Sequence, residues 1–469
     1  MDMKYFTILF IISIVHIKVY AQYNVNTLSA GQVLEIVKQY HPVAKQASIL
    51  IKKAKEDITI ARGNFDPLFY SSHAQKKFDG INYYQYNRPE LTIPTWFGME
   101  VYTGLEKLSG NRTDPTETTG ETSYVGISMP LAKNLLMDKR RAVLQIAKIF
   151  RDASEIERRN MLNNLVLDAM KSYWNWVQHF ELYKIMNDAV LVNEKRVQLV
   201  KTAFQLGDRP AIDTTEALAQ LQNFQVQREN AWMEFQNAGL DLSVFLWQQN
   251  DAPAVLPPGI IPADSLLPTL PVESVPVLTE LLDAAKKNHP ELLLYNFKLD
   301  ALAVEKKLKF QELLPLINFR YNQLGKGYDV LKTATGPLLE NNFQYGLSIG
   351  IPLRLSEGRG EFRKAKLKIT EMQLQQIFKQ AQVENKVRSY YNELITLKKQ
   401  VQVQENAYKN YLALQRGEEV RFHVGESSLF LVNARENKTL EAFQKLQQLR
   451  TKYLITVNTL QWSAGLLVL

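Results

Sequence analysis

The chain contains no cysteine. That excludes disulfides, thiolate metal sites, a cysteine nucleophile and a lipid-bearing N-terminal cysteine. Sequence signatures of reaction chemistry are missing too. There is no Walker loop, no dinucleotide fingerprint, no HExxH and no GxSxG serine elbow. The six histidines do not cluster, and no methionine pairs suggest a copper relay. "SEGRGE" (Ser356–Glu361) is glycine-rich without a phosphate-binding pattern and reads as a strand-to-helix junction. The chain is therefore expected to be no enzyme and to hold no cofactor or metal. Beyond the N-terminus nothing approaches 18 consecutive apolar residues, so no transmembrane helix is expected and any membrane span must be built from strands. The formal charge of +8 is spread along the chain without a block of like charges, which reads as a solvated surface and not a nucleic-acid partner face.

What is present begins with Lys4 followed by "YFTILFIISIVHIKVYA" and Gln22. A charged start, a short apolar run and small residues (Val19, Ala21) before a plausible cut predict a signal peptide over 1–21, hence export. Two halves follow, 22–247 and 277–469. The proline-dense "QQNDAPAVLPPGIIPADSLLPTLPVESVP" (248–276) between them forbids a regular helix and predicts an extended connector.

Each half opens on a helix that ends in His-Pro, then a second helix, then a proline. His41-Pro42 and His289-Pro290 mark this twice, as do Pro67 and Pro315. Proline fits the first helical turn, so both histidines read as part of a helix boundary. After each second proline the period changes to two. "NFQYGLSIGIPL" (Asn342–Leu353) sets Phe343, Tyr345, Leu347, Ile349, Ile351 and Leu353 on one face, with Gln344, Gly346, Ser348 and Gly350 on the other. "SYVGISMPL" (Ser123–Leu131) repeats the pattern, as a membrane-barrel strand requires; a soluble sandwich strand would look similar, and the expected signal peptide and neighbouring helices favour the barrel. "INFRYNQL" (Ile317–Leu324) and "LFYSSHAQKKF" (Leu68–Phe78) are the preceding strands. "WFGMEVYTGLEKL" (Trp96–Leu108) also alternates, which makes three candidates in a segment that should cross an even number of times. Either it belongs to an external loop, or a fourth strand hides in "INYYQYN". The strands are thus expected within about 67–131 and 316–353.

Long helical hairpins are expected over about 134–247 and 359–465. Spacings of three and four run through Leu162, Leu165, Ala169, Ser172, Trp176, His179, Tyr183, Met186, Val190, Asn193, Val197, Val200 and Phe204, and through Val387, Tyr390, Leu394, Leu397, Val401, Gln404, Tyr408 and Tyr411. Such spacing over many turns means long helices packed side by side. At 1.5 Å per residue, helices of about 70 residues span about 100 Å. Each is interrupted once by an aromatic-x-x-Gly turn: "FQLG" ending at Gly207 and "FHVG" ending at Gly425. These glycines read as hairpin tips, where a tight turn needs their backbone freedom.

Two helix–strand–strand–helix–turn–helix repeats behind a signal peptide resemble the TolC-type outer-membrane efflux family. The "NHP" of the second repeat, "GISMPL", "GIPLRLSEGRG" and the two glycine turns carry the resemblance, which covers essentially the whole mature chain. The resemblance implies an α+β membrane protein: a long coiled-coil α-helical barrel plus a transmembrane β-barrel completed by trimerisation. Three chains would supply four strands each to one twelve-strand barrel. It implies a homotrimeric exit duct in the bacterial outer membrane, in contact with outer-membrane lipid and extending into the periplasm. A periplasmic adaptor, docking at the tips around Gly207 and Gly425, and an inner-membrane transporter would load it for efflux or type I secretion. The alternative is a periplasmic coiled-coil adaptor or scaffold without a membrane span. In some members of the family acidic side chains six and nine residues after the turn glycine narrow the entrance. Here those positions hold Asp213 and Glu216 in the first repeat but Leu431 and Ala434 in the second. Candidate gate residues are therefore Asp213, Glu216 and Asp208 at the first tip, with Glu426 and Arg421 at the second.

Overall fold

The computed structural model describes residues 27–114, 116–257, 259–264 and 276–467. The expected signal peptide and residues 265–275 of the connector lie outside the described residues. The elements run β1 (Thr27–Leu28), α1 (Ala30–Tyr40), α2 (Pro42–Gly63), β2 (Leu68–Phe78), β3 (Ile81–Pro94), β4 (Glu100–Ser109), β5 (Gly120–Pro130), α3 (Lys139–Gln205) and α4 (Ala211–Ser243). After the connector come β6 (Ile261–Pro262), α5 (Leu278–Asn288), α6 (Pro290–Gln311), β7 (Leu316–Lys326), α7 (Val330–Thr335), β8 (Phe343–Gly350), α8 (Ser356–His423) and α9 (Leu429–Ser463).

The helices repeat almost residue for residue. α1 and α5 have 11 residues each, α2 and α6 have 22, α3 and α8 have 67 and 68, and α4 and α9 have 33 and 35. The break between the first two helices comes at His-Pro in both halves, with Pro42 and Pro290 in the first turn of α2 and α6. The His41 N–H closes α1 on the Val37 carbonyl, and its Nδ1 accepts from the Val43 N–H at 3.1 Å. His289 closes α5 on Ala285 in the same way. Its ring is buried and meets Trp462 edge-on.

Packing follows the spacing of the apolar residues. Leu162, Leu165, Ala169, Tyr173, Trp176 and Val177 of α3 form one core with Val33 and Val37 of α1 and with Phe235, Ala238 and Leu242 of α4. The equivalent core in the second half joins Val383, Val387, Leu394, Leu397 and Val401 of α8 to Leu281 and Ala285 of α5 and to Leu446, Tyr453 and Leu460 of α9. The buried side of α2 is mostly alanine (Ala44, Ala47, Ala54, Ala61), which lets the neighbouring helix α3 approach closely. At mid-height β1 pairs in parallel with β6. There Asp264 accepts from the Tyr173 hydroxyl at 2.7 Å and from the Ala30 N–H at 2.8 Å, which ties the connector to the first helices.

The six other strands form one antiparallel sheet in the order β2-β3-β4-β5-β7-β8. The uneven strand number of the sequence reading resolves into a fourth crossing. Ile81–Pro94 is a full strand, joined to β2 at Asp79-Gly80, where both residues have positive φ. That is the backbone a two-residue hairpin turn demands. The segment Trp96–Leu108 is no external loop: Glu100–Ser109 is β4, and Thr95–Met99 forms the turn before it. Among the described residues this sheet therefore has six strands, four in the first repeat and two in the second, in place of the four that the resemblance implies.

Register sorts the side chains onto two faces. One carries Val101, Thr103, Leu105, Val125, Ile127, Met129, Phe319, Tyr321, Leu347 and Ile349. The other carries a polar network. The Tyr124 hydroxyl donates to Glu90 at 2.6 Å, Arg320 Nε donates to the Tyr102 hydroxyl at 2.6 Å, Arg88 pairs with Glu106 at 2.7 Å, and Asn322 meets Tyr102. Gly104 and Gly126 lie under these tyrosine rings, where an added Cβ would come within 2.4 Å of Tyr124 or 2.5 Å of Tyr102. Among the described residues no helix is long and apolar enough to cross a membrane.

Burial lowers the pKa of His289 from 6.5 to about 4, with Lys379 and Lys386 acting in the same direction against Glu291. Folding thus excludes the protonated ring. Its contribution to stability is present above pH 6.5 and is lost as the pH falls toward 4, up to about 3 kcal/mol. Thermal melts at pH 7.5 and pH 4.5 should show a smaller acid-induced drop for His289→Gln than for the parent chain.

Candidate functional site

The two turns that interrupt the long helices are built alike. α3 and α4 are separated by Leu206–Pro210, and α8 and α9 by Val424–Ser428. Gly207 and Gly425 have φ of 82° and 80°, in the left-handed region that L side chains avoid. An added Cβ at either would meet nothing within 4 Å, so the backbone angle alone demands glycine. Around each, the chain closes a Schellman motif. The Asp208 N–H bonds to the Ala203 carbonyl at 2.9 Å and that of Gly207 to Phe204 at 3.0 Å. The Glu426 N–H bonds to Arg421 at 2.8 Å and that of Gly425 to Phe422 at 3.2 Å. The return helices start differently. α9 is capped by the Ser428 hydroxyl, which accepts from the Leu431 N–H. α4 begins after Pro210 without a side-chain cap and carries Asp213 in its first turn, where a carboxylate suits the helix dipole.

The structure brings the two tips together. Arg209 reaches across to the second turn, donating to the Phe422 carbonyl at 2.9 Å with its guanidinium 4.1 Å from the centre of the Phe422 ring. On its own helix it pairs with Asp213 at 3.6 Å. Glu216 accepts from Asn433 Nδ2 on α9 at 3.1 Å. The first-repeat acids Asp213 and Glu216 are therefore half-buried and engaged at the junction between hairpins. Asp208, Arg421 and Glu426 are exposed. Arg421 pairs with Glu418 at 3.6 Å and donates to the Glu426 carbonyl at 3.3 Å. Glu418 is buried and also accepts from Ser427 at 2.5 Å, so it braces the second turn from inside.

A cavity of about 670 Å³ lies between the tips, walled by Lys195, Arg196, Leu199 and Ala203 of α3, Asp208 and Arg209 of the first turn, and Glu419, Phe422 and His423 of α8. Two of its wall residues, Arg196 and Glu419, belong to an ion cluster that is not among the candidate residues of the sequence. Arg196 Nη1 donates to Glu436 of α9 at 2.7 Å and to the Asn193 carbonyl oxygen Oδ1 at 2.9 Å, and it pairs with Glu419 of α8 at 3.5 Å. Asn193 Nδ2 donates to Glu436 at 3.1 Å. Glu436 is almost fully buried, and burial pushes its carboxyl up from the usual range although Arg196 and Asn193 pull it down. The hint in the sequence was Asn193, a polar residue at a seam position. Among the described residues no group of acidic or histidine side chains could hold a metal ion.

No protein-family model and no curated protein matches the chain. Solved structures do. The Campylobacter jejuni CmeC outer membrane channel superposes with a TM-score of 0.67 at 15% identity, over 94% of this chain and 86% of that one. The outer membrane protein VceC of Vibrio cholerae gives 0.64 at 15%, over 93% and 96%. The open state of the Neisseria gonorrhoeae MtrE outer membrane channel gives 0.64 at 14%, over 93% and 89%. The chain has the fold of these channels, a helical-barrel and β-barrel protomer of the TolC type.

Removing one partner of a buried ion pair strands the other, at about 3–5 kcal/mol. Arg196→Met should therefore lower stability by that order, and Arg196→Met combined with Glu436→Met should recover most of the loss. Denaturant unfolding of the two variants and the parent gives the comparison.

Proposed function

We propose that three copies of this chain form an exit duct in a bacterial outer membrane, passively conducting cargo received from an inner-membrane transporter through a periplasmic adaptor. The observation that carries this reading is the joining of two parts in one protomer. One is a sheet with one apolar and one polar face; the other is a pair of helical hairpins about 100 Å long. The apolar sheet face suits lipid and the polar face suits a water-filled lumen. A periplasmic coiled-coil adaptor, the second reading, would leave that apolar face without a use. The architecture is common to channels whose described structures are those of outer-membrane proteins.

The hairpin tips lie at the far end of the helices from the sheet and would form the periplasmic mouth. Gly207 and Gly425 shape the surface on which the adaptor docks. In the gate, the exposed Asp208, Glu426 and Arg421 present charge to the mouth. Asp213 and Glu216 set how firmly the first hairpin holds to the second through Arg209 and Asn433. The duct serves a tripartite efflux pump or a type I secretion system; the transporter, and not the duct, selects the cargo.

Two measurements test the reading: the mass in detergent, expected to be that of a trimer, and single-channel conductance in planar bilayers. A soluble monomer recovered in the periplasmic fraction overturns it. Asp213→Asn should shift the conductance or the cation preference, because it frees Arg209 from its helix partner; an unaltered current would remove Asp213 from the gate.

A further inference from the structure

The sheet ends on two open edges. β2 pairs only with β3 and β8 only with β7, so 11 and 8 residues of strand each leave one side of the backbone without a sheet partner. Long unblocked edges invite pairing. Because six strands alternate in direction, β2 and β8 run antiparallel to one another, and each can continue the sheet of a neighbouring copy without a change of pattern. This is the head-to-tail contact that closes rings.

The stagger of the strands points the same way. Gly350 of β8 lies opposite Leu316 of β7. Going across the sheet, Asn318 lies opposite Pro130, Ser128 opposite Glu100, Pro94 opposite that same Glu100, and Thr92 opposite Leu68. The helix-side ends therefore climb in three steps of two residues, about six residues or 20 Å across five strand spacings of about 4.8 Å each. That corresponds to a tilt of about 40°, within the 35–45° of closed barrels. The climb pauses on β4, where Glu100 faces both Ser128 and Pro94, and resumes on β3 toward β2. The β2–β3 hairpin is thus paired into the same staggered sheet as the four strands beside it.

Resting on the trimeric duct proposed above, we infer that β2 of each copy pairs with β8 of the next, and that three six-stranded sheets close an eighteen-strand barrel. The partner surface is a second copy of this chain. At the same tilt and strand spacing the backbone diameter is about 36 Å, against about 24 Å for twelve strands. The competing closure would expel β2 and β3 and join β4 to β8 of the neighbour. It has to break a β3–β4 ladder that runs from Pro94–Glu100 to Gln85–Ser109. Its attraction is that β2 beyond Phe69 turns Ser71, His73 and Gln75 to the apolar side of the sheet.

The absence of cysteine makes the test clean. Ser72 and Ala74 of β2, and Gly346 and Ser348 of β8, project on the polar side of the sheet. Pairwise cysteine substitutions such as Ser72→Cys with Ser348→Cys, or Ala74→Cys with Gly346→Cys, are expected to give disulfide-linked dimers and trimers in isolated outer membranes. Glu106→Cys with Ser348→Cys reads the β4 closure and is expected to give none. A trimer by mass that crosslinks only through Glu106, or through none of these pairs, overturns the eighteen-strand barrel and leaves the duct standing. A monomer by mass overturns both. Exclusion of neutral polymers from the open channel is a second measure; a cutoff matching a twelve-strand barrel also overturns the inference.

Discussion

A helix of 67 residues is about 100 Å long, and its apolar seam has to be covered along the whole of that length. This requirement governs most of what surrounds it. No single helix of ordinary length covers such a seam, so the chain divides the task. Helices of 11 and 22 residues lie before the strands and one of 33 returns after the turn, and between them they match the 67 of α3. The second half solves the same problem with 11, 22 and 35 residues beside the 68 of α8. The positions of His41-Pro42, of the strands and of Gly207 follow from that division. A break anywhere else would leave part of the long helix bare.

Matching lengths also explain why the two hairpins are held together by polar groups near the tips. The main apolar cores bury Trp176 or Leu394 well within the helices, whereas toward the turns the clusters shrink to Val200, Ala217 and Leu429. There the contacts between repeats are directional: Arg196 on Glu436, Asn433 on Glu216, Gln220 on Asn437, and Arg209 on Phe422. Each needs a definite geometry, so the tips can dock in few ways. An apolar seam there would tolerate sliding. The asymmetry between repeats is part of the same arrangement. The first tip supplies a cation, Arg209, and one acid, Glu216, that reach across, while the second supplies the Phe422 carbonyl and ring and the Asn433 amide that donates to Glu216.

Much of this was legible in the sequence because helices announce themselves through local rules. The seam positions from Leu162 to Val200 and from Val387 to Val401 are largely the buried ones, and the glycines stand where the turns are. The sheet was harder. β3 was hidden because its two faces differ little in polarity near the outer end: Tyr84, Tyr86 and Arg88 alternate with Gln85 and Asn87, so the period of two carries no hydrophobic signal. The signal that was available was the Asp79-Gly80 pair, a hairpin turn between two runs of β-favouring residues. The tip contacts were illegible for a different reason. Arg196 and Glu436 are 240 positions apart, as Arg209 and Phe422 are 213 apart, and no local rule brings them together.

The duplicated order did more than aid reading; it limits how the halves can diverge. Where the helices must match in length, the repeats stayed within two residues of each other. Where nothing measures length, between the second helix and the long one, the first repeat holds four strands and the second holds two. Strands are added in pairs because helices lie on the same side of the sheet before and after them, so an inserted hairpin leaves both flanking helices in place. The sheet is thus the part of the molecule free to change size, and the helical hairpins are the part that cannot.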